Sequence, residues 1–547
     1  MNFLRPADPV NESMRFYWSH VARLVVFCGF AFFSNSALCQ SSSPTARERV
    51  ITEIQDLIDQ DKLDTARQRI YQAQKEMPDS GLDNLLGVVE AKSGDFAGAQ
   101  RSFAIAIRNA PTFTAPYLNL ARLYQENHNR DPKGRAKALA LYEQLLRLDP
   151  ANVEANYQAA VLLLEQRQYK KSLSYLSHLP PDSQDNSQAL AVRCAGLAGL
   201  GDRTLTDQCA ARLRSRPEFS EADAQTIAPA LASAKREDLI VELEESLVKR
   251  QMLSGQSLHT LGLAYEKTGH LSEARSALEQ AFSSFGSSST AILLDLARVG
   301  QEQKDYKAAL GYLAHAEDLD PKDATIPYYF GLVCLQLNLL AEAQRAMGKA
   351  LALDPDNPSY NYSMGAVSVF SEGPEQAIPY FQKYLRLKPQ DPRGKLALGA
   401  AYVRAKNYEA GLPLLRECTS HSETASTAHY YLGRILNEEG NPQGAIQELQ
   451  LSLKSNPDYI DALAELGRSL LTKKEYRQAQ EELDHALALS PDHYQANLNL
   501  LLLYTKIGDA RRDSQSQRVE ELKKAAEEKS QELSRIIAIK PLDSSGN

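Results

Sequence analysis

The stretch His259–Phe282, HTLGLAYEKTGHLSEARSALEQAF, decides the fold. Leu261 and Tyr265 stand four apart before Gly269-His270, and Leu278 and Ala281 stand three apart after it. Apolar residues at those spacings share one face of a helix, and a Gly-His step between two such runs reverses the chain. Gly262 and Ala274 fall where two antiparallel helices must approach closely, so the stretch reads as a helix hairpin. One hairpin of this size cannot bury its own apolar faces, and stability requires neighbours of the same kind stacked against it.

Those neighbours are visible on both sides. Pro321, Pro355 and Pro389 each close a helical run and stand 34 residues apart, as do Pro457 and Pro491. Gly331, Gly365, Gly399, Gly433 and Gly467 keep the same step, and Ala343, Ala377, Ala445 and Ala479 occupy the place of Ala274. Unit starts near 47, 80, 114, 153, 187, 221, 255, 290, 324, 358, 392, 426, 460 and 494 follow from these landmarks. An array also accounts for the size of the chain, since 547 residues exceed what a single core supports.

The order of small residue, aromatic, alanine, bulky residue, alanine and proline resembles the tetratricopeptide repeat. Further instances are GVVEAKSGDFAGAQRSFAIAIRNAP, with Gly87, Ala99, Phe103, Ala106 and Pro111, and LARLYQENHNRDPKGRAKALALYEQLLRLDP, which carries extra residues around Asn129 to Gly134. The resemblance implies an all-α fold, a right-handed α-solenoid of stacked helix-turn-helix hairpins closed by a C-terminal capping helix. Expected boundaries are a signal or N-terminal anchor over 1–39, a linker over 40–46, N-terminal units over 47–152, degenerate units over 153–254, C-terminal units over 255–513, a capping helix over 514–539 and a tail over 540–547. In the degenerate stretch Cys194 replaces the helix-contact glycine, Pro180-Pro181 ends a unit early, and Pro229 falls inside a first helix, where it is expected to kink or break it. Pro374 and Pro442 fall in the first turn of second helices, where a missing N–H costs nothing. The charged run SQRVEELKKAAEEKSQELSRIIA, with Glu520 and Lys524 four apart, has the polar outer face of a terminal cap.

The N-terminus differs from the rest. Arg15 and Arg23 precede the apolar run Leu24–Phe33, too short to span a bilayer but suited to a secretory signal. Ala37-Leu38-Cys39 places small residues before a cut at Gln40, and Met14 is an alternative start. The expectation is export to a bacterial periplasm or cell envelope, with an uncleaved anchor as the alternative. Leu38 stands where a lipoprotein box has a small residue, which argues against lipid on Cys39. Cys194, Cys209, Cys334 and Cys418 are too dispersed for a disulfide framework or a zinc set. Cys194 and Cys209 share one hairpin, but Cys209 is expected to point away from the first helix. The two are therefore read as buried small side chains, with a bridge as the alternative.

The net charge of -8 argues against nucleic acid as a partner, and no membrane contact beyond the N-terminal anchor is expected. No phosphate-binding loop, dinucleotide fingerprint, His-Glu-x-x-His or Gly-x-Ser-x-Gly motif occurs. No enzyme activity, metal or cofactor is expected. His421, Glu423 and His429 are read as a solvated loop, not a metal site.

Tetratricopeptide repeats take peptides or helices of other proteins in a concave groove, at about the second, fifth, ninth and twelfth places of each unit. The resemblance therefore implies Arg298, Tyr328, Tyr362, Arg393, Tyr430, Arg434 and Arg468 as groove residues. Tyrosine and arginine are frequent interface anchors, and arginines favour carboxylates, so an acidic or C-terminal peptide is the expected ligand. The Lys/Asn/Arg clamp of co-chaperone members has no counterpart. The sixth-place asparagine ladder of the sugar-transferring members is absent too, that place reading Asn119, Gln158, Val192, Thr226, Thr260 and, later, Tyr431. The leading expectation is a non-catalytic protein-binding scaffold. Alternatives are an accessory subunit of a polysaccharide export or envelope assembly machine, and a repeat protein with an unrecognised enzymatic activity.

Overall fold

A computed structural model describes residues 46–250, 253–371 and 373–538. The expected signal, the linker up to residue 45, Cys28, Cys39 and the 540–547 tail lie outside the described residues. Among those described there are 29 helices and no strand, paired into hairpins. The chain divides into two compact units, Met1–Gly269 and His270–Asn547.

In the C-terminal unit the hairpins include Thr325–Gln336 with Leu340–Leu353, Pro358–Ser371 with Pro374–Leu387, Ala425–Glu438 with Pro442–Ser455, and Ile460–Thr472 with Tyr476–Leu489. The periodic glycines explain how closely each pair crosses. A Cβ on Gly365 would stand 2.8 Å from the Phe381 ring, one on Gly433 2.7 Å from Leu449, and one on Gly467 2.6 Å from Leu483. The bulky side chain of the second helix thus rests directly on bare backbone of the first. Ala343, Ala377, Ala445 and Ala479 are fully buried beside these contacts. Leu449, Leu463, Leu483 and Leu500 continue one core through successive hairpins.

The turn inside most hairpins is built the same way, the units starting near 114 and 358 excepted. Counted from the unit starts given above, the fifteenth residue takes a left-handed conformation, whether it is Gly440 (φ 74°) and Gly508 (φ 68°) or Lys304 (φ 60°), Lys406 (φ 58°) and Lys474 (φ 64°). The amide after it reaches back across the helix end, as in Asp305 N to Gly300 O at 2.8 Å, the double closure typical of a helix C-terminus. That next residue then caps the second helix: Asp305 accepts from Ala308 N at 3.1 Å, Asn407 from Ala410 N at 3.2 Å and Asn441 from Gly444 N at 3.0 Å. A lysine in this conformation is strained by roughly 1 kcal/mol or more relative to glycine.

Between hairpins, a buried asparagine ties down the turn. Asn361 donates to Pro355 O at 2.9 Å and Asn357 O at 2.8 Å, and Asn497 does the same to Pro491 O and His493 O at 3.0 Å. Asn156 repeats the clamp on Pro150 O and Asn152 O in the N-terminal unit, both at 2.9 Å. The terminal helix Arg512–Ala538 joins this pattern, its Gln515 donating to Asn497 Oδ1 at 2.9 Å.

The N-terminal unit runs from Ala46–Asp59 to Gly255–Lys267. Its middle departs from the expectations in two respects. Pro229 does not break its helix: Glu221–Ser233 is continuous through it, with Ile227 and Leu231 fully buried on either side. Proline removes a single intrahelical hydrogen bond here, four residues before the helix end, and the packing of the apolar face outweighs that loss. Second, Cys209 points towards the first helix and not away from it. It is disulfide-bonded to Cys194, with the two Cα atoms 5.4 Å apart, so the reading of two separate buried thiols is incorrect. Thr206, Cys209, Ala210 and Leu213 form the buried face of Arg203–Arg214. That spacing of three, one and three carries Cys209 against the helix Ser187–Leu200. Cys334 and Cys418 are buried free thiols.

Candidate protein-binding face of the first helices

Within the C-terminal unit, first helices of consecutive hairpins lie side by side and exchange hydrogen bonds. Asn437 Nδ2 reaches Glu465 Oε1 at 2.7 Å and Ser469 Oγ at 2.8 Å, and Asn499 Nδ2 reaches Ala464 O at 2.8 Å. These bonds join the first helices Ala425–Glu438, Ile460–Thr472 and Tyr494–Ile507 into one face.

The seven expected groove residues all lie on first helices, but their surroundings divide them. The tyrosines are half-buried wedges between hairpins. Tyr328 stacks on Tyr360 at 4.7 Å and touches Tyr329 at 5.7 Å, Tyr362 meets Phe381 at 5.6 Å and Tyr384 at 5.1 Å, and Tyr430 meets Tyr431 at 5.0 Å and Tyr459 at 5.2 Å. Burial holds the Tyr362 hydroxyl above the usual phenol value and pushes that of Tyr430 up to about 12, so both stay neutral donors.

Three of the four arginines are engaged by the protein itself. Arg298 pairs with Asp295 one turn earlier. Arg393 pairs with Asp391 at 2.8 Å, and that guanidinium, aided by the Tyr384 hydroxyl at 2.5 Å, pulls the Asp391 carboxyl down to about 2. Arg468 bridges Glu438 at 3.0 Å and Glu465 at 3.3 Å. Arg434 differs: its guanidinium lies over the rings of Tyr430 and Tyr431, 5.8 Å and 5.9 Å from their centres, and it makes no ion pair among the described residues.

Two residues absent from the sequence-based set share this face. Arg404 ends the helix Pro392–Arg404, and its guanidinium lies 5.3 Å from the ring centre of Phe370, which is 65% exposed. Both occupy the thirteenth place of their units, one beyond the places the family uses. The available signal was Phe370 itself, a large apolar residue in the last turn of the helix Pro358–Ser371, beyond the buried Val367 and Ser368.

His429 is taken by Glu448, with Nδ1 2.7 Å from the carboxylate. Among the described residues no three His, Cys, Asp or Glu side chains gather as a metal would need, and no helix is long and apolar enough to cross a membrane.

Two family models described as tetratricopeptide repeat match the chain, one over 135–193, 301–366 and 436–501, the other over 259–324, 369–422 and 396–460. Together they span more than half of it. The chain is a tetratricopeptide repeat protein. Membership of this family makes the array a protein-interaction scaffold. Similar solved structures include Cut9 in the APC/C Cut9–Hcn1 hetero-tetramer, with 15% identity, TM-score 0.37 and coverage of 78% of this chain and 97% of that one. Yeast Tom70 has 16% identity, TM-score 0.34 and coverage of 90% and 94%. YrrB, described as a TPR protein with an unusual peptide-binding site, has 27% identity, TM-score 0.27 and coverage of 34% and 95%. No curated protein matches this tetratricopeptide repeat protein.

Proposed function

We propose that this repeat protein is a non-catalytic scaffold that takes an extended segment or helix of a partner protein along the first-helix face of its C-terminal unit. The observation that carries the reading is the Tyr430–Arg434 constellation. An aromatic pair orients a guanidinium that forms no ion pair among the described residues, on a helix joined to the next first helix by side-chain bonds. Half-buried aromatics and an oriented arginine are what interface anchors consist of, because they contribute large contact area with little ordering cost on binding.

The proposal also places the protein outside the reducing cytoplasm, in a periplasm or cell envelope. Support comes from the Cys194–Cys209 disulfide, since structural disulfides persist in oxidising compartments, and from the basic and apolar N-terminal sequence.

Crosslinking with mass spectrometry on the native envelope fraction tests both parts, comparing wild type with a Tyr430→Ala, Arg434→Ala double variant. The expected result is a defined protein partner crosslinked along the first helices of the C-terminal unit and lost in the variant. Crosslinks confined to second helices, or unchanged in the variant, would overturn the reading of this face. Recovery of the protein only from the cytosol would overturn the placement.

A further inference from the structure

Tyr169 opens the second helix Tyr169–Ser177, and the phenol end of its ring rests on the following hairpin, where a Cβ on Gly199 would stand 2.4 Å from it. In other hairpins the same opening position holds Phe96, Leu271, Tyr306, Leu340, Tyr408 or Tyr476. One hairpin after Tyr169 it holds Arg203, and the residue equivalent to Gly199 becomes Ser233. An arginine that keeps its charge in water does not fill the place of an aromatic ring or a leucine. Arg203 is exposed, and a cavity of about 320 Å³ lies between these three hairpins of the N-terminal unit, with Tyr169, Gly199, Leu200, Arg203, Ser233 and Arg236 in its lining. That is the lower end of the range for small-molecule sites, with room for roughly ten non-hydrogen atoms. Six of the ten lining residues fall between Cys194 and Cys209, so the bridge holds that wall in one shape.

The hydrogen-bonding groups of the lining are one-sided. No carboxylate or amide side chain lines the cavity. Thr206 and Ser233 donate their hydroxyls to Asp202 O at 2.6 Å and Pro229 O at 2.9 Å, and the Asp202 carboxylate caps Leu205 N at 3.0 Å. Arg236 is held by Asp207 and Asp238, neither of which lines the cavity, and its Nη1 is buried with no hydrogen-bond partner among the described residues. Arg203 forms no ion pair and the Tyr169 hydroxyl no hydrogen bond among the described residues. The side-chain groups left over are therefore donors, one of them a cation, and the half-exposed Leu200 and the Tyr169 ring add apolar surface beside them.

We propose that this cavity is a binding site for a small organic acid. Its carboxylate pairs with Arg203 and accepts from the Tyr169 hydroxyl, and its apolar body lies against Leu200 and the Tyr169 ring. A guanidinium and a hydroxyl converging on one carboxylate form charge-assisted bonds that the corresponding amide cannot make. The site does not depend on the reading of the first-helix face.

The test is isothermal titration calorimetry on the full chain with benzoate, 3-phenylpropionate and 4-methylpentanoate, each against its primary amide. At least one acid should bind saturably, and at least tenfold more tightly than its amide. Arg203→Gln should weaken that binding about tenfold, the usual effect of losing one charge-assisted contact, and Tyr169→Phe about threefold. Arg214→Gln, which removes an arginine of the same second helix already paired with Glu242, should leave it within about twofold. Arg203→Leu restores the residue type that fills this position in other hairpins, so it should abolish binding while raising the urea unfolding midpoint, which separates loss of the site from loss of the fold. Acids and amides that bind alike, no saturable binding of any of the three acids, indifference to Arg203→Gln, or undiminished binding by Arg203→Leu would each overturn the site.

Discussion

Replacing Glu244 with glutamine should stabilise the N-terminal unit at neutral pH and abolish a pH dependence that the native protein carries. Glu244 is 1% exposed, and neither carboxyl oxygen has a hydrogen-bond partner among the described residues. It occupies the twenty-fourth place of its unit, where Phe103, Phe381, Leu449 and Leu483 rest on glycine in other hairpins. Burial raises its pKa from 4.5 to about 8, with the nearby Glu221 charge adding to the effect. A carboxyl whose folded value lies above its unfolded one contributes stability that is fully present below pH 4.5 and is lost as pH rises towards 8. Each pH unit in that window is worth about 1.4 kcal/mol, so by pH 7 the loss is about 3 kcal/mol. Glutamine keeps the shape and the buried polar group but cannot ionise. The variant should therefore match wild type near pH 4.5 and exceed it by about 3 kcal/mol at pH 7. Because repeat arrays unfold in parts, the measurement is hydrogen exchange of the helix Glu237–Val248 alongside urea unfolding at several pH values. Parallel pH profiles for wild type and Glu244→Gln between pH 5 and 8 would refute the reasoning.

Three further variants probe the construction of the hairpins. Cys194→Ser with Cys209→Ser should cost about 3 kcal/mol for the loop it opens; a reductant should lower the unfolding midpoint of wild type and leave the double variant unchanged, and an identical response in both would contradict the bridge. Lys406→Gly, at a φ of 58°, should stabilise by ~0.5–1 kcal/mol because glycine adopts the left-handed conformation without strain, and urea midpoints report it. Asn361→Leu leaves Pro355 O without the side-chain amide it receives, and should cost about 1–3 kcal/mol in the same assay; no loss would mean that the clamp between hairpins is ornamental.

The repeat was legible because its signals are local. Gly, Ala and Pro at fixed intervals report backbone approach and chain reversal, which each hairpin must solve alone. Cys209 was misread although its spacing from Thr206, Ala210 and Leu213 carried the answer. Attention to the usual contact places hid a face one residue wider. Pro229 was misread for the opposite reason: its local preference is real, but the surrounding burial of Ile227 and Leu231 outweighs it.

By itself, then, the amino-acid sequence determined the period, the hairpin, the helix-contact glycines and the family, since all of these follow from interactions within about one repeat. It also placed the seven tyrosines and arginines on first helices. Only the tertiary structure decided what each of them does. Arg468 finds Glu438, and Tyr430 finds Tyr459, in neighbouring hairpins about 30 residues away, whereas the guanidiniums of Arg404 and Arg434 lie over aromatic rings and form no ion pair among the described residues. Whether a charged side chain is already satisfied depends on which groups stacking brings to it, and that information exists only once the hairpins are assembled.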